Sequence, residues 1–173
     1  PDFINESIYH LGQAYAFTWQ NDKADLLFNG NHESNNADFD NYLKKLGYNF
    51  KNQANELGGY VALNFKKTSL IMDVGSSPER KFSSNYQAGA LSFEILSNGK
   101  KLICNSGYFQ NHNHQLNELS KSSAAHSTLI LDDRSSCQFN KTKKHSSRVS
   151  YGLKILKKNI IFEKNYWKIN ASH

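Results

Sequence analysis

The chain has 173 residues and a formal charge of +6 at pH 7, a length that suits one domain with at most a short appendage. Eleven Phe, nine Tyr and two Trp are spread along it, enough bulky side chains to offset the entropy of ordering, so a disordered tail is excluded. No stretch comes near the ~18 consecutive apolar residues of a membrane span, and the first residues lack the basic-then-apolar pattern of a secretion signal.

Pro1 opens the chain without a methionine and His173 closes it directly after a strand-like run, so it reads as a piece of a longer protein. Ile8, Leu11, Tyr15 and Trp19 recur at spacings of three and four, which predicts one buried face of a helix from Asn5 to about Trp19. Ala24-Asp-Leu-Leu-Phe28 leads into Asn29-Gly30, and an Asn- and Asp-rich loop follows to about Asn55. Within it, Phe39, Tyr42, Leu43 and Leu46 fall on one side of a short helix expected at Asp38–Leu46.

After Gly58-Gly59 the period changes to that of strands. Tyr60–Phe65 and Ser69–Val74 form an expected pair around a Lys66-Lys67-Thr68 turn. Leu91, Phe93 and Ile95 alternate with Ser92, Glu94 and Leu96, and Asn98-Gly99 then precedes Lys101–Cys104. Asn-Gly between two apolar runs specifies a tight hairpin, because both residues tolerate the positive φ that matches strand twist. Ser127–Leu131 reads as a strand closed by a turn at Asp132-Asp133, and Val149–Leu156, Ile160–Phe162 and Tyr166–Ile169 supply the remaining strands.

The fold class is therefore mainly β: an antiparallel sandwich or stacked sheets, with a short N-terminal helical remnant. The division expected is a helical remnant and connecting loop over 1–56 and a β-sheet domain over 57–173. Cys104 and Cys137 have no framework spacing and read as free thiols rather than a disulfide.

Basic residues gather late, in Lys141-Thr-Lys-Lys-His145 and around Lys154, Lys157 and Lys158. Such a field favours polyanions, although a solvated lysine-rich face is the preferred explanation. No aromatic-plus-basic motif supports nucleic acid as the partner. Phosphate-cradling loops, dinucleotide fingerprints, serine elbows and paired-cysteine zinc spacings are all absent. His112-Asn-His114 places two imidazoles on one face of a strand, a possible metal pair, but its Asn- and Gln-rich setting reads as a surface loop. His126 lies among small residues ahead of an apolar run and suits either a tight crevice or a buried structural position.

Six segments together resemble the C-terminal region of heparinase II/III-like proteins: Leu26–Gly30, Gly58–Tyr60, Leu70–Gly75, Ala88–Glu94, Leu102–Gly107 and Ala124–Leu129. The resemblance implies a helical toroid followed by antiparallel sheets, the opening helix being the toroid's remnant, with periplasm or cell envelope as the compartment. It also implies β-elimination on uronic-acid polysaccharides. That reaction removes a proton beside a carboxylate, so a site must neutralise the carboxylate, supply a base and protonate the leaving oxygen.

Lyase members of the family resemble His-x-His-x-Asp before the Leu-Ser-Phe-Glu segment, the first histidine catalytic and the second a metal ligand. A later strand aspartate and the histidine of the Ala-His motif complete that metal set. Here Asn85 and Gln87 stand at the histidines, Gly89 at the aspartate and Asn105 at the strand aspartate, while His126 is retained. Neutral amides are poor zinc ligands, so no zinc or other cofactor is expected. The resemblance assigns His126, Asn85 and Tyr86 to catalysis and Gln87 and Asn105 to substrate binding, with an acidic polysaccharide and the toroid domain as partners. On this reading the piece alone is inactive. The alternative is a non-catalytic glycan-binding or structural sandwich that kept the fold after losing the histidines.

Overall fold

The computed structural model describes every residue except 1, 19–24, 33–36, 53, 143–144 and 165. Helix α1 spans Asp2–Thr18 and helix α2 Ala37–Lys45. The buried stripe of α1 runs through Gly12, Ala16 and Phe17, while Leu11 is exposed. The helix is thus turned by about one residue from the expected face, because Phe17 seats in the core and the Phe50 ring lies against the bare backbone of Gly12. Trp19 lies outside the described residues. Helix α2 buries none of its residues and meets α1 through an edge-on contact of Phe39 with Tyr15.

Five antiparallel strands form the main sheet in chain order: β1 (Glu56–Leu57), β2 (Tyr60–Phe65), β3 (Thr68–Asp73), β4 (Phe93–Ser97) and β5 (Lys100–Ile103). The β2–β3 turn is only Lys66-Lys67, one residue tighter than expected, with Thr68 already paired to Phe65. Asn98 and Gly99 close the β4–β5 hairpin at φ 50° and 73°, the left-handed pair that a two-residue turn requires.

Two further hairpins follow, β6 (Gln138–Thr142) with β7 (His145–Tyr151) and β8 (Lys157–Phe162) with β9 (Trp167–Ser172). Strand β6 has no counterpart in the expected elements. The expected strand at 149–156 ends at Tyr151, because Gly152 passes too close to Ser77 for a side chain and Leu153 bonds to that serine instead. The expected strand over 127–131 does not form. Its one ladder contact is an isolated bridge from Leu131 to Arg134 across the Asp132-Asp133 turn, and Leu129 is 78% exposed. The Ser127 carbonyl accepts from the Phe93 N–H at the start of β4 at 3.3 Å, and the pairing goes no further. Both cysteines are free, Cys137 buried and Cys104 exposed.

Alternation gives the main sheet two faces. Ala62, Ile71 and Leu96 pack under Phe17, Leu26 and Phe28 of the N-terminal segment. Val61 and Leu63 pack on the other side against Ile160, Trp167 and Ile169 of the β8–β9 hairpin. In β4 the more polar register is the buried one: Glu94 is fully buried, whereas Phe93 and Ile95 are half-buried. The carboxylate of Glu94 earns that place by accepting from the backbone N–H of Leu27 at 3.0 Å and of Asn105 at 3.1 Å. A short helix α3 (Gln115–Lys121) closes one end. Its Lys121 is buried and donates to the carbonyls of Ser84 at 2.7 Å and Ser147 at 2.9 Å, tying α3 to the 83–92 segment and to β7.

Candidate functional site

The two-residue turn between β2 and β3 sets Tyr60 directly opposite Asp73. Directly opposed residues project to the same face, here the face covered by the N-terminal segment. Over the pair lies a turn at Asn29-Gly30, whose φ values are 37° and 89°. The Asn29 amide donates to the Tyr60 hydroxyl at 2.5 Å and to Asp73 Oδ2 at 3.2 Å, while Asp73 Oδ1 accepts from the Gly75 N–H at 3.0 Å. A Cβ at Gly30 would stand 2.6 Å from that of Asn85, so glycine there is what lets Asn85 close on the turn. Tyr86 follows, its hydroxyl 3.2 Å from Ser77 Oγ.

Asn29, Tyr60, Asp73, Asn85, Tyr86 and Phe82 together line an open hollow of about 250 Å³. The Phe82 ring is exposed on a 3-10 turn at Arg80–Phe82. Burial, with the charge of Asp73 adding to it, pushes Tyr60 and Tyr86 well above the ordinary phenol range. Both therefore stay protonated at neutral pH and serve as donors, not bases. Burial also lifts the Asp73 carboxyl from 3.8 to about 6, against the opposing pull of its bonds to Gly75 and Asn29. Two phenols, a carboxyl, two carboxamides and an aromatic platform are groups that hold a polyhydroxylated ring.

Of the residues singled out by sequence, Asn85 and Tyr86 meet in this hollow and the others do not. Gln87 is 0% exposed: its Oε1 accepts from Gly30 N–H at 3.0 Å and its Nε2 donates to the carbonyls of Gly107 at 3.2 Å and Ser120 at 2.6 Å. Asn105 is 1% exposed and its Oδ1 accepts from the Ser127 N–H at 3.0 Å. Neither offers a surface to a sugar. His126 lines a different hollow, with Met72 and Phe93 from the opposite sheet face. Its Nδ1 donates to the Ser122 carbonyl at 2.8 Å, and burial holds its pKa down, so the ring is neutral and Nε2 is a bare acceptor. The other paired imidazoles have local duties: His114 Nδ1 caps α3 by accepting from the Leu116 N–H at 3.2 Å, and His112 Nδ1 lies 3.4 Å from the Tyr108 hydroxyl. Tyr60, Asp73 and Asn29 were not among the sequence candidates, although all three lie in the family segments.

The donors around His126 do not fit the zinc that the family resemblance implies. Position 89 is glycine, and a Cβ there would meet the His126 ring at 2.8 Å and Ser92 Oγ at 3.1 Å, so the imidazole occupies the space a carboxylate would need. Among the described residues no three His, Cys, Asp or Glu side chains come together. Restoring the family residue with Gly89→Asp is thus expected to cost about 2 kcal/mol through overpacking and to leave stability insensitive to added zinc. Urea denaturation with and without the metal checks both; a zinc-dependent rise in midpoint would show that a cage does form.

Residues 51–173 match the family described as heparinase II/III-like, C-terminal. No curated protein matches the sequence. Among solved structures the fold is similar to that of a heparan sulfate lyase mutant from Pedobacter heparinus, with TM-score 0.59 and 16% identity over 82% of this chain and 27% of that one. A heparinase III gives TM-score 0.57 and 16% identity over 92% of this chain and 29% of its own, and a further heparinase III gives 0.57 and 18% over 78% and 25%. At these identities the likeness is one of fold. The chain spans about a quarter of the length of the lyases it resembles. No helix among the described residues is long and apolar enough to cross a membrane.

Proposed function

Because the chain belongs to the heparinase II/III-like family through its C-terminal domain, we propose that it is the sugar-handling β-sheet part of a larger polysaccharide-lyase-like protein acting on a uronic-acid glycan. The observation that carries this reading is the hollow itself, where Asn85 and Tyr86 of the family's catalytic stretch join Tyr60, Asp73 and Asn29. The exposed Phe82 ring gives a sugar an apolar face to stack on, and Arg80 on the same turn adds an exposed positive charge, Lys81 being paired with Glu79.

β-Elimination would divide its tasks here in a particular way. Asn85 and the phenols donate to the sugar carboxylate and hydroxyls, offsetting the charge that builds as the adjacent proton leaves. The phenols stay protonated, and Asp73 is buried with its two oxygens held by Asn29 and the Gly75 N–H, so the base comes from the helical domain of the same protein, and this chain alone is inactive. A second reading, glycan binding without cleavage, is favoured by one observation: the retained imidazole, His126, lies in another hollow.

The intact protein incubated with a panel of uronate polymers is expected to release unsaturated oligosaccharides that absorb in the ultraviolet, with turnover falling roughly a hundredfold in Asn85→Ala, as for loss of one transition-state donor. Binding without such absorbance across the panel, unchanged in His126→Ala, would select the second reading. Absence of both binding and cleavage would refute the glycan assignment.

A further inference from the structure

An acidic side chain is an unexpected occupant of a hollow that receives an acidic sugar. Asp73 is 4% exposed and sits on the floor of the hollow. Around it, β2 contributes the Tyr60 phenol, the 83–92 segment the Tyr86 phenol and the 25–32 segment the Asn29 amide. Among the described residues, the hydrogen bonds it accepts come from neutral donors, Asn29 and the Gly75 N–H. Arg80 and Lys81 stand outside on the rim turn, exposed, and Lys81 pairs with Glu79 at 3.1 Å. Among the described residues, no lysine, arginine or histidine forms an ion pair with Asp73.

From this geometry we infer that an anionic sugar enters the hollow together with one proton, which is taken from solvent onto the Asp73 carboxyl. The inference rests on the glycan reading above and assigns that site its regulation. Two negative charges sharing a small, partly desolvated space without a counter-cation repel strongly. The cheapest relief is to neutralise the carboxyl that is already held near the edge of ionisation by burial. Once protonated, Asp73 keeps an oxygen to accept from Gly75 and gains an O–H. That hydrogen can be donated to the sugar carboxylate, so one group changes from repelling the ligand to binding it. The balance is simple: free carboxylate, anionic sugar and a solvent proton become a complex one charge less negative than the sum of protein and sugar.

The test is calorimetry on the intact protein with a glucuronate-containing tetrasaccharide and, as a neutral control, its carboxyl-reduced form. Titrations at pH 7 in buffers of different ionisation enthalpy are expected to show uptake of nearly one proton with the acidic ligand and none with the reduced one. Affinity for the acidic ligand should fall about tenfold per pH unit above pH 6, as one linked proton requires. Asp73→Asn retains an oxygen acceptor for Gly75 and should abolish both the uptake and the slope. Tyr60→Phe, which leaves the carboxyl in place, should keep the uptake, and serves if the first variant does not fold. Binding of the acidic ligand with no proton uptake and no pH slope would overturn this inference while leaving the glycan reading intact. Binding of neither ligand at any pH would overturn both.

Discussion

Gln87→Ala is expected to destabilise the fold by about 4 kcal/mol, because the truncation strands one buried N–H and two carbonyls and opens a cavity. The three partners belong to separate parts of the chain: Gly30 in the turn above the hollow, Gly107 after β5, and Ser120 in α3. Its backbone N–H also donates to Asn29 Oδ1 at 3.1 Å, a bond that survives the substitution. Gln87→Glu should rescue little, since the second carboxylate oxygen would face the Gly107 and Ser120 carbonyls, acceptor against acceptor. Guanidinium denaturation of both variants measures the effect. A loss below about 1 kcal/mol for the alanine variant would mean that the carboxamide is not the clamp its geometry makes it, and would reopen its assignment to the ligand.

The second large effect is a pH dependence of stability set by Asp73. Its pKa rises from 3.8 to about 6 on folding. A carboxyl lifted in this way binds its proton more tightly in the folded state, so it costs nothing below pH 3.8 and its penalty grows as pH climbs to 6. The rise corresponds to about 3 kcal/mol in full, most of it lost across that window. Glu94, raised in the same direction by burial, contributes with the same sign. The group-specific quantity is the difference between wild type and Asp73→Asn, which should grow in the variant's favour by about 2.5 kcal/mol from pH 4 to pH 7. A difference that stays flat would show that the carboxyl ionises in the fold as readily as in water.

What sequence could show of this site turns on one residue of turn length. Closing Phe65 on Thr68 with two residues places Tyr60 opposite Asp73, five steps back along each strand. A Lys66-Lys67-Thr68 turn slides the register by one and puts Tyr60 opposite Val74, so the pair at the floor of the hollow goes unseen. The signal was present in the lysine pair, which is enough for a tight turn. Asn85 and Tyr86 were singled out from the stretch ahead of the Leu-Ser-Phe-Glu segment, whereas the burial of Gln87 and Asn105 was not legible. Whether a carboxamide faces solvent or a buried carbonyl depends on contacts from distant segments that local pattern does not encode. The Asn98-Gly99 hairpin was legible because its chemistry is wholly local. The failure at 127–131 is the converse case, since a strand needs a partner along its length and this run meets β4 only at Ser127. The inverted burial of β4 has the same origin: two backbone N–H groups, one more than sixty residues away, reward Glu94 for turning inward.

The walls of the hollow are drawn from four stretches of chain, around Asn29, Tyr60, Asp73 and the 80–87 turn. None of these stretches holds the arrangement by itself, so the cavity vanishes when the molecule melts. A compound that occupies it must raise the melting temperature by mass action alone, by about 2.7 kcal/mol of added stability at a hundredfold excess over its dissociation constant. Thermal-shift screening of oligosaccharides therefore identifies the natural ligand by affinity alone, without turnover and before the rest of the reaction is understood.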